Sequence, residues 1–194
     1  ADTKTRLEDL YLPFRPKRRT KAQIAIEAGL EPLALGLLRD PSQDPETYAA
    51  DFINEELAIT DAKVALEGAQ HILMEHFAED AHLLNELREY LWQHILVKSV
   101  GQSKKKEMVS KFSDYFDYSE AIKKIPSHRA LALFRGRRES VLQISLVLPE
   151  ADMTYGESKV ASHFNISNQQ RKADSWLLAV VRTTWKIKLF TKLE

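Results

Sequence analysis

At 194 residues, 44% of them apolar and 29% charged, the chain can bury a core and is not composed like a disordered segment. It has no cysteine, which excludes disulfides and thiolate zinc sites, and its 28 basic residues balance 28 acidic ones, so no single sign of charge coats the surface. No apolar run approaches the roughly 20 residues of a membrane span and no signal peptide opens the chain, so a cytoplasmic protein without a membrane partner is expected.

Charge is distributed unevenly along the chain. Glu31 to Asp61 holds eight acids against one base, Arg39, whereas the cations gather at Arg15–Lys21, Lys104–Lys106 and Arg129–Arg138. The chain starts without methionine inside a helical pattern and ends in Leu193-Glu194, which reads as a piece of a longer protein. The fold class expected is all-α: one multihelical region over 1–194 with a single small strand or hairpin element near 140–148.

In chain order, Ala1 to Leu12 reads as the last turns of a helix with Leu7, Leu10 and Tyr11 on one side. Leu10 to Ala22 then joins an apolar group (Leu10, Tyr11, Leu12, Phe14) to five cations, Arg15, Lys17, Arg18, Arg19 and Lys21. Pro13 and Pro16 lack N–H donors and fix their own backbone angles, so an extended crossing is expected, clamped by Tyr11 and Phe14. From Lys21 to Leu38 the pattern is helical with Ile24, Ile26, Leu30, Leu33, Leu37 and Leu38 inward. Gly29 interrupts it, and Glu31-Pro32 opens the second part.

Asp44-Pro45-Glu46 is a helix start, with Asp44 as the cap, and that helix is expected to reach about Leu57 with Phe52 and Ile53 inward. Thr60 is read as the next cap, before a long helix that buries Ala65, Ala69, Ile72, Leu73 and Phe77 at the 3.6-residue period. Another helix covers about Asp80 to Val97. Ser99 to Lys106 breaks it, and Phe112, Tyr115, Phe116 and Tyr118 form an aromatic knot. Ser127 caps a short helix that Gly136 ends. Ser140 to Leu148 alternates two apolar sets and is the one convincing strand, which needs a partner nearby or outside the chain. The tail is helical, about Tyr155 to Phe164 and Gln169 to Leu189, the last with a broad apolar face over Trp176, Val180 and Trp185.

Chemistry is sparse. His71, Glu75 and His76 miss the spacing of a zincin helix, and His82, His94, His128 and His163 show no ligand spacing, so neither metal nor cofactor is expected. Asp114 and Asp117 stand without a nucleophile, the glycines are scattered singly, and no nucleophile turn exists. The chain is therefore read as non-enzymatic, without a small-molecule substrate. The basic clusters are the better lead: Arg135, Arg137 and Arg138, with Arg129 and Phe134, mix guanidinium groups with an aromatic as backbone binders do. The plainer reading, which Arg135, Arg137 and Arg138 fit well, is cations that offset the negative end of a helix. Lys104, Lys105 and Lys106 fit a solvated loop.

The segment Leu7 to Ala22, continuing through Gly29-Leu-Glu-Pro-Leu33, resembles the Tex family of bacterial transcription accessory proteins. So does Phe112-Ser-Asp-Tyr-Phe-Asp-Tyr-Ser119 with Ile125-Pro-Ser-His-Arg-Ala-Leu-Ala-Leu-Phe-Arg-Gly136. The resemblance implies the multihelical N-terminal region that precedes a ribonuclease-H-like domain. It lies apart from the helix-hairpin-helix elements and the S1 RNA-binding domain that hold the family's principal nucleic-acid surface. It implies a helical scaffold taking part in transcription, with RNA or DNA as partner mainly through those other domains and transcription machinery as a further partner. On that reading Arg15, Lys17, Arg18, Arg19, Lys21, Lys104, Lys105, Lys106, Arg135, Arg137 and Arg138 are the candidate nucleic-acid contacts. The alternative is a protein-interaction module that docks polymerase, ribosome or a neighbouring domain through the acidic 31–61 lobe and the last helix.

Overall fold

The computed structural model describes residues 3–14, 19–102, 110–149, 152 and 154–193, which divide into two compact units. The first holds 1–86 and 155–193 and the second 87–154.

In the first unit, helix starts are written by side chains that accept from orphan backbone N–H groups. Thr3 accepts from Arg6 and opens α1 (Lys4–Tyr11). Thr20 accepts from Gln23 and opens α2 (Lys21–Glu27). Gly29 turns the chain at φ +79°, and Pro32 sits in the first turn of α3 (Glu31–Arg39). Asp44 caps α4 (Pro45–Ala50) as expected. This helix stops short of Leu57, however. A separate 3₁₀ turn covers Glu55–Leu57, Ala58 takes a left-handed conformation, and Ile53 stays exposed. Asp61, not Thr60, caps α5 (Ala62–Glu79), accepting from Val64 N at 2.9 Å.

Helix α5 is the hub of the first unit and packs against α2, α3, α4 and α9 (Asp174–Thr184). Its buried set is the predicted one, Ala65, Ala69, Ile72, Leu73 and Phe77, with Met74 and Ala78 in addition. Small residues let α2 come close: Ala22 and Ala25 are buried, and Leu30 and Ala25 fill the space a side chain at Gly68 would need. That close approach turns Ile24 and Ile26 outward, against expectation. The Phe77 ring stacks on Phe164, centroids 4.2 Å apart.

The last helix continues from α9 through a π-helical turn at Trp185–Leu189 into α10 (Phe190–Leu193). Val180, Trp185 and Leu189 are buried, Trp185 lying flat over Gly156 of α8 (Tyr155–His163). Of the apolar face expected on this helix, Val180 and Trp185 are covered by their own unit, Trp176 is half-buried and Ile187 is exposed. The expected clamp at the opposite end is corrected too. Leu12–Phe14 is a 3₁₀ turn rather than an extended crossing, and Tyr11 and Phe14 are exposed.

Helix α6 (Ala81–His94) starts in the first unit and ends in the second. The second unit is built on a three-stranded antiparallel sheet in the order β2-β1-β3, from β1 (Leu96–Gly101), β2 (Asp117–Ala121) and β3 (Leu142–Val147). The protein is mostly helical, and the expected lone strand finds its partner within the chain: Ser99 faces Ile144 on one side and Tyr118 on the other. The residues of β1 that turn inward are Val97, Ser99 and Gly101, two of them not apolar, so alternation could not announce the strand. Gly101 is there because Phe116 lies against it, 2.7 Å from where a Cβ would stand.

A 3₁₀ segment, Ser110–Tyr115, carries buried Phe112 into a core with Val97, Leu133, Val141 and Leu142. Tyr115, Phe116 and Tyr118 pack around it, as the aromatic knot predicts. Helix α7 (Ser127–Arg138) lies on β3, and Gly136 does not end it. Gly136 is buried within the helix, where Leu142 comes within 2.5 Å of a would-be Cβ.

Candidate nucleic-acid interface

The arginines of the third cluster sit in the last turn of α7. There they meet the negative end of the helix dipole, and all three are exposed. Arg135 Nε donates to Glu139 Oε1 at 3.1 Å, and Lys111 Nζ lies 2.9 Å from the same carboxylate, so Arg135 is occupied. These two cations, with Lys111 first, hold the Glu139 carboxyl below its usual range. Arg137 and Arg138 have no carboxylate within ion-pair distance among the described residues. Arg129 is satisfied by Glu120, which also accepts from the Tyr118 hydroxyl.

Beside Arg137 runs an apolar groove of about 510 Å³, lined by Trp92, Ile122, Ile125, Leu133, Phe134 and Ile144 among others. Its rim is aromatic and open: Trp92 is 56% exposed and Phe134 61%. Lys123 and Lys124 are exposed on the 3₁₀ turn that brings Ile122 into the groove. Trp92, Lys123 and Lys124 were missed by reading the sequence. The available signal was position: Trp92 falls off the Leu87–Leu91 stripe of α6, where an indole has no core to enter.

In the first unit, Arg19 and Lys21 behave differently from each other. Arg19 is exposed but closed on Glu27, with Nε at 3.1 Å and Nη2 at 2.7 Å both donating to Oε2. Lys21 lines a cleft of about 490 Å³ with Thr20, Gln70, His71, Glu75 and Lys188. Thr20 Oγ1 donates to Glu75 Oε2 at 3.0 Å, and Lys188 Nζ stands 3.7 Å from the same oxygen. Burial, then the charges of Lys21 and Lys188, push the His71 imidazole below its ordinary range, only partly opposed by Glu67. Arg15, Lys17, Arg18, Lys104, Lys105 and Lys106 lie outside the described residues.

His71 and His76 are in the first unit, and Asp114, Asp117 and His128 are in the second. The only group of three potential metal ligands among the described residues is His82, Glu86 and His163. None of these was singled out from spacing. No helix among the described residues is long and apolar enough to cross a membrane.

Comparison with known proteins decides the family. A family described as Tex central region-like matches residues 40–194. The chain belongs to the Tex family. It is 51% identical over 197 residues to protein YhgF of Escherichia coli strain K12, covering 99% of this chain and 26% of that protein. It is 48% identical over 199 residues to the transcriptional accessory protein Tex of Neisseria gonorrhoeae, covering 100% and 26%. To the S1 RNA-binding domain-containing protein 1 of Homo sapiens it is 30% identical over 148 residues, covering 72% and 15%. The chain thus spans about a quarter of the length of the bacterial relatives it matches.

Proposed function

We propose that this Tex-family segment is a non-catalytic helical scaffold that contacts single-stranded nucleic acid during transcription, and that the contact is made at the α7 end of the second unit. The observation that carries this reading is the conjunction there of Arg137 and Arg138, exposed and without acidic partners among the described residues, with the open rings of Phe134 and Trp92. Guanidinium groups bind phosphate with a planar fork, and exposed aromatic faces stack on bases whatever their identity. Lys123 and Lys124 extend the same positive rim. The names of the relatives, a transcriptional accessory protein and an S1 RNA-binding domain-containing protein, agree with such a role. Transcription machinery is the further partner on this reading.

The test is fluorescence anisotropy of the chain with single-stranded RNA and with duplex DNA across a salt series. Affinity for the single strand falls steeply with salt, and charge reversal at both Arg137 and Arg138 lowers it about tenfold at low salt. The same double variant flattens the log–log salt slope by about 1–2, since each lost phosphate contact removes roughly 0.7. Undetectable binding at low salt, or binding that the double variant leaves unchanged, overturns the proposal.

A further inference from the structure

We propose that His82, Glu86 and His163 hold a zinc ion that clips the start of α6 to the end of α8. His82 and Glu86 are one turn apart on α6, so their side chains rise from the same face. His163, at the C-terminal end of α8, brings its ring to within 5.7 Å of the His82 ring, the two nearly parallel at 24°. One donor atom from each of the three residues lies within 4.8 Å of the other two. His82 Nδ1 and Glu86 Oε2 are 3.6 Å apart. Tetrahedral zinc, with bonds of about 2.0–2.1 Å to nitrogen, holds its ligand atoms roughly 3.4 Å apart. The first pair is therefore already close to that spacing. The two sides that involve His163 are no longer than 4.8 Å, so metal binding would draw the three side chains together by small rotations, most freely at exposed His82.

The surroundings favour the same use of these side chains. His163 Nε2 stands 3.1 Å from Asp80 Oδ1, so one ring nitrogen is anchored by a carboxylate and the other is left to bind. This is the arrangement that orients a ligating imidazole and raises its basicity. Asp80 is itself fixed, because the same oxygen caps α6 by accepting from Leu83 N at 2.7 Å. Lys159 Nζ takes Glu86 Oε1 at 3.0 Å, which leaves Oε2 toward His82. Two imidazoles and one carboxylate suit zinc rather than magnesium or calcium, which prefer oxygen donors throughout. Three protein ligands leave a fourth position for water. The sequence hides the site because His82 and His163 are far apart in the chain and only folding joins them.

The experiment is calorimetric titration of zinc into the untagged chain near neutral pH, with thermal unfolding measured with and without the metal. One saturable site is expected, and zinc raises the unfolding temperature, because a ligand that binds only the folded state stabilises it. His82→Ala and His163→Ala each weaken binding at least tenfold. His82 is exposed, so its variant folds as the parent does. Asp80→Asn keeps the helix cap and still loses about tenfold in affinity, as loss of an outer-sphere carboxylate does. His94→Ala and His128→Ala leave binding unchanged. Absence of a saturable heat, or equal affinity in the parent and His82→Ala, overturns the proposal.

Discussion

The two units differ in how their candidate basic residues are placed. In the first, several cations of the sequence's basic and helical segments are paired within the unit. Arg19 closes on Glu27, Lys188 and Thr20 converge on Glu75, and Arg171 closes on Asp174. In the second, the sheet and α7 enclose a small aromatic core and leave Arg137, Arg138, Phe134 and Trp92 turned outward. Equal numbers of basic and acidic residues in the whole chain thus conceal local differences in pairing, with Arg19 answered by Glu27 and Arg137 and Arg138 left without a carboxylate among the described residues. On the proposed function, what would distinguish a binding surface from a charged one is whether a carboxylate has already answered the cation.

The comparison can be broken first at the cores. Phe77 is fully buried at the hub of the first unit and stacked on Phe164. Phe77→Ala removes that ring and leaves a cavity, at a cost of about 3–5 kcal/mol. Denaturant unfolding followed by far-ultraviolet circular dichroism measures it. A loss below about 1 kcal/mol would mean that α5 is not the hub.

The second unit offers a subtler break. Gly136→Val puts a branched side chain where Leu142 already sits, and Leu142 is itself buried and cannot swing into solvent. Overpacking of this kind costs about 1–3 kcal/mol and outweighs the gain in helix propensity over glycine. The same substitution at a helix-ending glycine would cost far less, so thermal unfolding of this variant separates the packing role from the terminating one.

These two sites also show what was legible in the sequence. Where structure is set by neighbours in the chain, reading succeeds. Asp44-Pro45-Glu46 starts a helix, Gly29 breaks one, and the 3.6-residue stripe of α5 buries the residues it names. Where structure is set by distant partners, reading fails. Val97, Ser99 and Gly101 become one face of a central strand only because β2 and β3 flank it, and Gly136 looks like a stop until Leu142 is seen on top of it. The outward turn of Ile24 and Ile26 has the same origin, since the alanines of α2 meet Gly68 only in the fold. The candidate interface was half legible: the arginines announce themselves, whereas Trp92 does not, because exposure is a property of the finished unit.

Pairing within the first unit has a pH signature. Asp174 is buried, which by itself raises a carboxyl, but the Arg171 guanidinium and the N–H groups of Arg171 and Gln169 outweigh that and hold it below its ordinary range. A group depressed in the folded state contributes stability above its unfolded value, near pH 4, and that contribution is lost as pH falls through the folded value. Asp174→Asn therefore lowers stability at pH 7 and flattens the decline below about pH 4. Unfolding midpoints measured from pH 7 down to pH 3 check both. An unaltered acid slope would show that Asp174 is not one of the groups whose protonation unfolds the unit.

The smallest effect expected tests the comparison most directly. The Arg19–Glu27 pair has two donors on one carboxylate oxygen but is exposed, with side-chain accessibilities of 70% and 45%, so solvent screens it and Arg19→Ala costs less than about 1 kcal/mol. The contrast lies in binding. Because Glu27 already occupies the guanidinium, a phosphate would have to displace a carboxylate to use it, and Arg19→Ala leaves RNA affinity at low salt within about twofold of the parent. Glu27→Gln supplies the converse, since it frees Arg19 without removing it, and affinity then rises. If Arg19→Ala weakens binding as much as charge reversal at Arg137 and Arg138, occupancy by a carboxylate does not distinguish the two surfaces, and the density of positive charge along the chain would be the better guide.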